Sequence, residues 1–241
     1  MTEAILPSVG GLVLTLVRRD LLLAVRGGGG VLQTLFFFLI FVGLSGFALG
    51  PGPAALRAAA PAIIWLGLLL AVQFSVLDLF RGDLEDGTLQ VLAAEQKSLL
   101  PYIYARLLAA FISLAVPLAL AVPVAFVMFS VELARAGAAS LLLILASPAL
   151  ILAGVVAAAV SAGARTGGLL GMGLAAPLVV PIMIFGIGAV EAGLGPVGAA
   201  SNTLAGAQWL SPETLLLGAI MLFYGVILPP FAVLAIRLGL E

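Results

Sequence analysis

Residues 78–101, DLFRGDLEDGTLQVLAAEQKSLLP, decide the fold because they interrupt a chain that is otherwise almost entirely apolar. This acidic segment holds five of the chain's eleven acidic residues. An ionised side chain at the centre of a bilayer costs about 2.5–3.5 kcal/mol even on lenient scales. We therefore expect the acidic segment to lie in water between two membrane spans, where a soluble partner can contact it.

The composition of the 241-residue chain is that of an integral membrane protein. It is 63% hydrophobic and 9% charged, whereas soluble domains are about 45–50% apolar and about 25% charged. The absence of cysteine and histidine excludes disulfides, thiolate metal sites, histidine general bases and histidine-ligated haem. A membrane enzyme built on Asp, Glu, Ser or Tyr remains open. We expect no bound metal and, without a basic tract, no nucleic-acid partner.

Apolar runs of about 20 residues can cross a bilayer as helices, and six such runs are present. They predict an all-α integral membrane fold with six transmembrane helices. The predicted spans are 31–49, 61–80, 102–129, 140–162, 169–190 and 215–234. The connection 191–212 is either a re-entrant or surface-lying hairpin or a loose loop.

Three features of the predicted spans concern their packing. Prolines such as Pro117 predict kinks or locally opened helices, although membrane spans also tolerate proline without a functional bend. Small residues such as Gly154 predict close helix–helix packing. Trp65, near the outer end of the second span, is expected to be an interfacial aromatic residue.

Residues 9–26 predict an amphipathic helix that lies in the membrane interface. Val13, Val17 and Leu21 share one face at 100° per residue, and the cations Arg18, Arg19 and Arg26 suit contact with lipid headgroups. The alternative is that this helix simply extends the first span. The four glycines at 27–30 favour a joint, so we divide the chain into an N-terminal segment, 1–30, and a six-span transmembrane domain, 31–241.

The distribution of Lys and Arg predicts the orientation in the membrane. With the N-terminus inside, eight of the ten cations lie on the cytoplasmic side and two, Arg57 and Arg135, lie outside. Both termini and the acidic segment are therefore predicted to be cytoplasmic.

Gly87 divides the acidic segment into two parts. The first part continues the second span into the cytoplasm, and a short helix begins near Thr88, whose hydroxyl suits helix capping. Leu89 and Leu92 recur at helical spacing, so this helix can dock into a groove of a cytoplasmic partner, with acidic flanks that set the register. The residues alone leave open whether it does so or is a solvated connection against lipid headgroups.

The string EDGTLQVL at residues 85–92 resembles the E-x-G-[ST]-L-[EQ]-x-L signature of six-span exporter permeases of ABC transporters. More specifically, the chain resembles the CcmB family, haem exporter protein B of cytochrome c maturation. The resemblance covers nearly the whole chain and is carried by PAIIWL (61–66), LFRGDLEDGTL (79–89), PLVVPIMIF (177–185) and PPFAVLAIR (229–237).

The resemblance implies an ABC-2-like exporter permease of the bacterial inner membrane, with a cytoplasmic coupling helix between spans two and three. The implied function couples ATP hydrolysis by a separate CcmA-like ATPase, in a two-plus-two assembly, to haem export or to release of a haem-loaded periplasmic chaperone. The further partners it implies are a CcmC-like haem-handling membrane protein, the small CcmD-like membrane protein and the CcmE-like haem chaperone.

The chain itself is expected to be a non-catalytic subunit without a bound cofactor. A phosphate-binding loop needs glycines around a Lys-Ser/Thr pair, and neither 27–30 nor 163–168 supplies one, so ATP is assigned to the partner chain. Haem, as cargo, would be held without His or Cys ligation, which favours mechanical coupling. The residues assigned to ATPase coupling are Arg81, Asp83, Glu85, Asp86, Gly87, Thr88, Leu89, Leu92 and Glu95.

Three other functions are weighed against this assignment. An ABC permease of the same architecture for a drug, lipid or polysaccharide could be separated from it only by cargo assays or by its neighbouring chains. A secondary transporter is disfavoured because no acidic residue lies in the middle of a predicted span. A membrane enzyme would need clustered reactive side chains, and the outer connections carry only scattered polar residues.

Overall fold

A computed structural model describes residues 9–27, 29–77, 79–94, 99–163, 167–194 and 211–240. Within these ranges the regular structure is entirely helical. The helices are α1 (Val9–Gly27), α2 (Gly29–Leu49), α3 (Pro53–Leu77), α4 (Arg81–Glu85), α5 (Thr88–Ala94), α6 (Leu99–Met128), α7 (Leu133–Gly163), α8 (Gly167–Leu194) and α9 (Pro212–Leu240). The predictions for Glu95, for Lys97 and for most of the connection 191–212 fall outside the described residues.

Five apolar stretches of the described chain are long enough to cross a membrane, so this is a multi-pass membrane protein. They lie in α2, α3, α7, α8 and α9. The remaining predicted span, 102–129, corresponds to α6, which consists of Leu99–Ala115 and Pro117–Met128 bent by 45°. A proline has no N–H to donate and its ring clashes with the preceding turn, so Pro117 accounts for the break. Counting the bent helix as one span gives the six that the sequence predicts.

Helix α7 occupies the middle of the bundle. It packs against α3, α6, α8 and α9, and 72% of its most apolar stretch is buried, compared with 17% for α2. Helix α2 instead exposes Phe36, Ile40, Leu44 and Phe47. Their spacing places them along one side of the helix, and an apolar stripe of this kind suits contact with lipid.

Close helix packing depends on glycine, as the small residues predict. A Cβ atom on Gly154 of α7 would lie 2.4 Å from Oε1 of Gln73 in α3. A Cβ on Gly186 of α8 would lie 1.9 Å from Nε1 of Trp65. The expectation that Trp65 is an interfacial aromatic residue is therefore wrong: its side chain is fully buried because the bare backbone of Gly186 leaves room for the indole.

At the end of the bundle opposite α4 and α5, two arginines donate hydrogen bonds to main-chain carbonyls. Between α6 and α7 the chain turns at Ser130, whose φ of 59° is left-handed. Nε of Arg57, near the start of α3, donates to the Ser130 carbonyl at 3.0 Å. Arg135 of α7 donates to the carbonyl of Leu194, the last residue of α8, at 3.3 Å. These bonds satisfy carbonyls that helix ends and turns leave without partners.

Candidate functional site

Helix α1 packs on the first half of α6. Val17 forms a small buried cluster with Ala105 and Ala109, and Val13 and Leu21 pack against that cluster. The predicted apolar face of α1 therefore exists, but it is turned towards the protein. Arg18 is exposed, and the side chain of Arg26 lies outside the described part of the molecule.

Asp83, predicted as a coupling residue, is the centre of a buried group of charges. Nη2 of Arg19 in α1 lies 3.1 Å from both of its carboxylate oxygens. The hydroxyl of Tyr102 in α6 donates to Oδ2 of Asp83 at 2.5 Å. Only 6% of Asp83 is exposed. One carboxylate of the acidic segment thus joins α4 to both α1 and α6.

Asp20 and Arg106 complete this group, which we call the charge cluster: Arg19, Asp20, Asp83, Tyr102 and Arg106. Asp20 accepts a 3.0 Å hydrogen bond from Nε of Arg19, and its Oδ2 lies 2.9 Å from Nη1 of Arg106. Arg106 also lies 3.5 Å from Asp83 and donates to the main-chain carbonyl of Leu79, just after α3. The charge cluster therefore connects α1, α4, α6 and the end of α3.

Two arginines and two carboxylates make the charge cluster electrically balanced. Burying a charge is costly unless it is paired and hydrogen-bonded, and removing one member of a buried pair leaves the other uncompensated. Partial burial of Arg19 disfavours its charge, but the carboxylates of Asp83 and Asp20 outweigh this and raise the pKa of its guanidinium. Arg19 therefore stays protonated throughout the physiological pH range.

The outer surface of α4 carries the other predicted charges of the acidic segment. Arg81 and Glu85 are one turn apart, with Nε and Oε1 separated by 4.0 Å, and both are largely exposed. Such an exposed pair contributes about 0–1 kcal/mol. Their position leaves both side chains accessible to a partner.

Asp86 and Gly87 form the turn between α4 and α5. Gly87 has a φ of 81°, a left-handed conformation that costs little only for glycine. Oδ1 of Asp86 accepts a 2.9 Å hydrogen bond from the N–H of Thr88. Hydrogen bonds from the side chain and backbone of Thr88 hold the pKa of Asp86 below its ordinary value. Thr88 was expected to cap α5, but the residue that caps it is Asp86, because Thr88 already belongs to the helix.

Helix α5 presents a different face to solvent from the one the sequence suggests. Leu89 is fully buried in the main core, with Leu92 partly buried against it, so the expectation that Leu89 is an exposed anchor for a partner is wrong. The exposed residues of α5 are Gln90, Val91 and Ala94, and 66% of Val91 is exposed. Leu89 attaches α5 to the bundle, and Val91 is the larger of the two apolar residues of α5 that remain exposed.

A sequence profile described as CcmB protein matches residues 12–238 of the chain. The chain belongs to the CcmB family. It is 39% identical over 177 residues to "Heme exporter protein B" of Bradyrhizobium diazoefficiens, covering 73% of this chain and 80% of that protein. It is 33% identical over 229 residues to the protein of that name from Haemophilus influenzae, covering 95% of this chain and 98% of that one. With the one from Paracoccus denitrificans it shares 41% identity over 182 residues, or 74% and 82% of the two chains.

Sequence reasoning on this CcmB chain missed three members of the charge cluster: Asp20, Tyr102 and Arg106. Tyr102 and Arg106 are one helical turn apart at the start of a predicted span, and a polar pair with that spacing lies on one helix face. This spacing is the sequence feature that could have indicated a polar contact at this face of the helix. Nothing local indicates that Asp20 pairs with Arg106, because that contact forms only when α1 packs on α6.

The described part of this CcmB chain contains no group of three or more acidic side chains placed to hold a metal ion. The acidic residues of α4 and its following turn diverge: Asp83 points into the charge cluster, while Glu85 and Asp86 are exposed. The chemistry of the site is therefore ion pairing and hydrogen bonding between structural elements.

Proposed function

We propose that this chain is the non-catalytic membrane subunit of a haem exporter that couples ATP hydrolysis by a separate ATPase chain to haem export or to release of a haem-loaded chaperone. The family and the name of its relatives, heme exporter protein B, support haem as the cargo. The observation that carries the coupling role is the charge cluster, in which Asp83 of the surface helix α4 contacts Arg19, Tyr102 and Arg106.

The proposed route of coupling begins at α5. Val91 and its exposed neighbours contact the ATPase, and the buried Leu89 transfers displacement of α5 to the packed core. Helix α4 moves with α5, because only the two-residue turn Asp86–Gly87 separates them. Asp83 then transmits the displacement to α1 and to the first half of α6.

The proposed assembly places α4, α5 and both termini in the cytoplasm of a bacterial inner membrane. A CcmA-like ATPase, binding the ATP, contacts α5 in a two-plus-two complex. CcmC-like and CcmD-like membrane proteins and a CcmE-like chaperone complete the system. This chain holds no cofactor of its own, and haem passes or is released without ligation by His or Cys.

Replacing Val91 by Asp tests the proposed contact. We expect the retained ATPase to fall at least tenfold during co-purification, equivalent to about 1.4 kcal/mol, and cytochrome c maturation to fall with it. Because Val91 is exposed, the variant should insert and fold normally. The matched control is Leu133→Asp, which changes an exposed leucine at the opposite end of the bundle, at the start of α7. Equal ATPase retention in both variants would refute the contact.

A further inference from the structure

A cavity of about 270 Å³ lies beside the charge cluster, between α1, α2, α3 and α6. It is lined by Val31 at the start of α2, by Ser75 near the end of α3, and by Arg106 and Ser113 of α6. These positions belong to the ends of membrane-spanning helices on the side that carries α4 and α5. The cavity therefore opens near the boundary between hydrocarbon and water.

The lining of this cavity is divided into an apolar wall and a polar wall. Leu23, Val31 and Ala110 contribute apolar surface, while Asp20 and Arg106 contribute one charge of each sign. A ligand that fits both walls is an amphiphile. Because the two charges cancel, a net anion or a net cation is attracted by one and repelled by the other.

The two charged side chains of this wall are paired within the charge cluster. Oδ2 of Asp20 lies 2.9 Å from Nη1 of Arg106, and Nε of Arg106 lies 3.5 Å from Oδ2 of Asp83. The carboxylate and the guanidinium both line the cavity beside the hydroxyls of Ser75 and Ser113. A ligand that supplies both a hydrogen-bond donor and an acceptor can therefore contact this wall without breaking the pair.

We propose that this cavity binds the headgroup of a zwitterionic phospholipid with a primary ammonium, of the phosphatidylethanolamine class. Its ammonium donates to Asp20, and its phosphate accepts from Arg106 and from the hydroxyls of Ser75 and Ser113. The acyl chains leave the cavity along the apolar wall. Phosphate oxygens accept well from guanidinium groups, and three N–H donors distinguish this ammonium from a choline group.

The bound lipid would join α1 to the spanning helices at the same place as the charge cluster. Asp20 and Leu23 of α1 line the cavity together with Ser75 of α3 and Ser113 of α6. The inference concerns a site beside the transport machinery and holds for any cargo.

The test uses the purified full-length protein and native mass spectrometry during stepwise delipidation. We expect one phosphatidylethanolamine per chain to be retained at least tenfold better than phosphatidylglycerol or phosphatidylcholine, and to raise the Tm. Equal retention of the three lipids, or preference for phosphatidylglycerol, would overturn the assignment. Equal stabilisation by water-soluble phosphoethanolamine would also overturn it, by showing that the site does not select a membrane lipid.

Two substitutions fill the cavity without touching the charge cluster: Ser75→Leu and Ala110→Leu. We expect each to lower retention of phosphatidylethanolamine at least tenfold, so that either suffices if the other fails to fold. The control is Ser45→Leu in α2, where the serine hydroxyl bonds to its own helix. Unchanged lipid retention in a folded Ser75→Leu or Ala110→Leu protein would show that the lipid binds elsewhere.

Discussion

The hydroxyl of Tyr102 lies 2.5 Å from Oδ2 of Asp83 and thereby joins α6 to α4. Asp83 also accepts a hydrogen bond from Arg19 and forms an ion pair with Arg106, so a single carboxylate contacts three side chains. Three helices, α1, α4 and α6, meet at this one buried carboxylate. The stability of this end of the molecule should therefore depend on Asp83 more than on any exposed residue of α4.

Removing the charge of Asp83 should destabilise the protein strongly. In Asp83→Asn, two arginines share one carboxylate, and breaking a buried ion pair costs about 3–5 kcal/mol. We expect the free energy of unfolding to fall by about 3 kcal/mol, the lower end of this range, because Arg19 is partly exposed. The measurement is the thermal unfolding of the purified protein, with Glu85→Gln as the matched control because that pair is exposed. The same Tm for both variants would contradict a structural role for the charge cluster.

Adding a methyl group at Gly186 should disturb the packing of α8 on α3. The new Cβ would overlap the indole of Trp65, which is fully buried and cannot move into solvent. Overpacking of this kind costs about 1–3 kcal/mol. The Tm of Gly186→Ala measures the loss. In Gly43→Ala of α2 the added Cβ meets nothing within 4 Å, so this control should be unchanged or slightly more stable, since alanine favours helix. A Tm for Gly186→Ala equal to that of the control would show that α3 and α8 pack less closely than the contact between Gly186 and Trp65 indicates.

The start of α5 should loosen in acid. The pKa of Asp86 is lowered in the folded protein by its hydrogen bonds with Thr88, so the cap is complete above the ordinary pKa of an aspartate and is lost as pH falls through the lowered value. The amide chemical shift of Thr88 should titrate with a midpoint below that of an unperturbed aspartate. Asp86→Asn should abolish this titration, and Glu85→Gln should leave it unchanged. A midpoint at the ordinary value would show that the cap does not form.

Single introduced cysteines should report the orientation without background, because the chain has none. We expect Gln90→Cys in α5 to react with a membrane-impermeant thiol reagent only after the cells are opened. Ala54→Cys, at the exposed start of α3, should react in intact cells. The measurement is labelling before and after permeabilisation. Labelling of position 90 in intact cells would invert the proposed orientation.

The helices could be predicted from the sequence because hydrocarbon imposes a minimum length on every apolar run. The predicted segment 9–26 agrees with α1, and the short helix after Gly87 agrees with α5. Both follow from local rules, namely amphipathic spacing and the backbone freedom of glycine. Their predicted locations, in the membrane interface and against an ATPase, depend on a bilayer and a partner that lie outside the chain.

The contacts could not be predicted in the same way. Leu89 is an apolar residue within a polar segment, and Trp65 is an aromatic residue within an apolar run. In both places either exposure or burial satisfies local preference. Packing decides: Leu89 enters the core, and Trp65 fills the space left by Gly186. Likewise, Asp20 and Arg106 carry opposite charges far apart in sequence, and only the three-dimensional fold brings them within 2.9 Å.

The packing of α1 on α6 has a consequence for protein production. A shortened gene that starts at the glycines near residue 28 would omit Arg19 and Asp20, uncover Ala105 and Ala109, and leave Nη1 of Arg106 without its carboxylate. The codons for residues 9–27 therefore belong to the same cooperative unit as the spans. Affinity tags should be appended to the complete chain instead of replacing this helix.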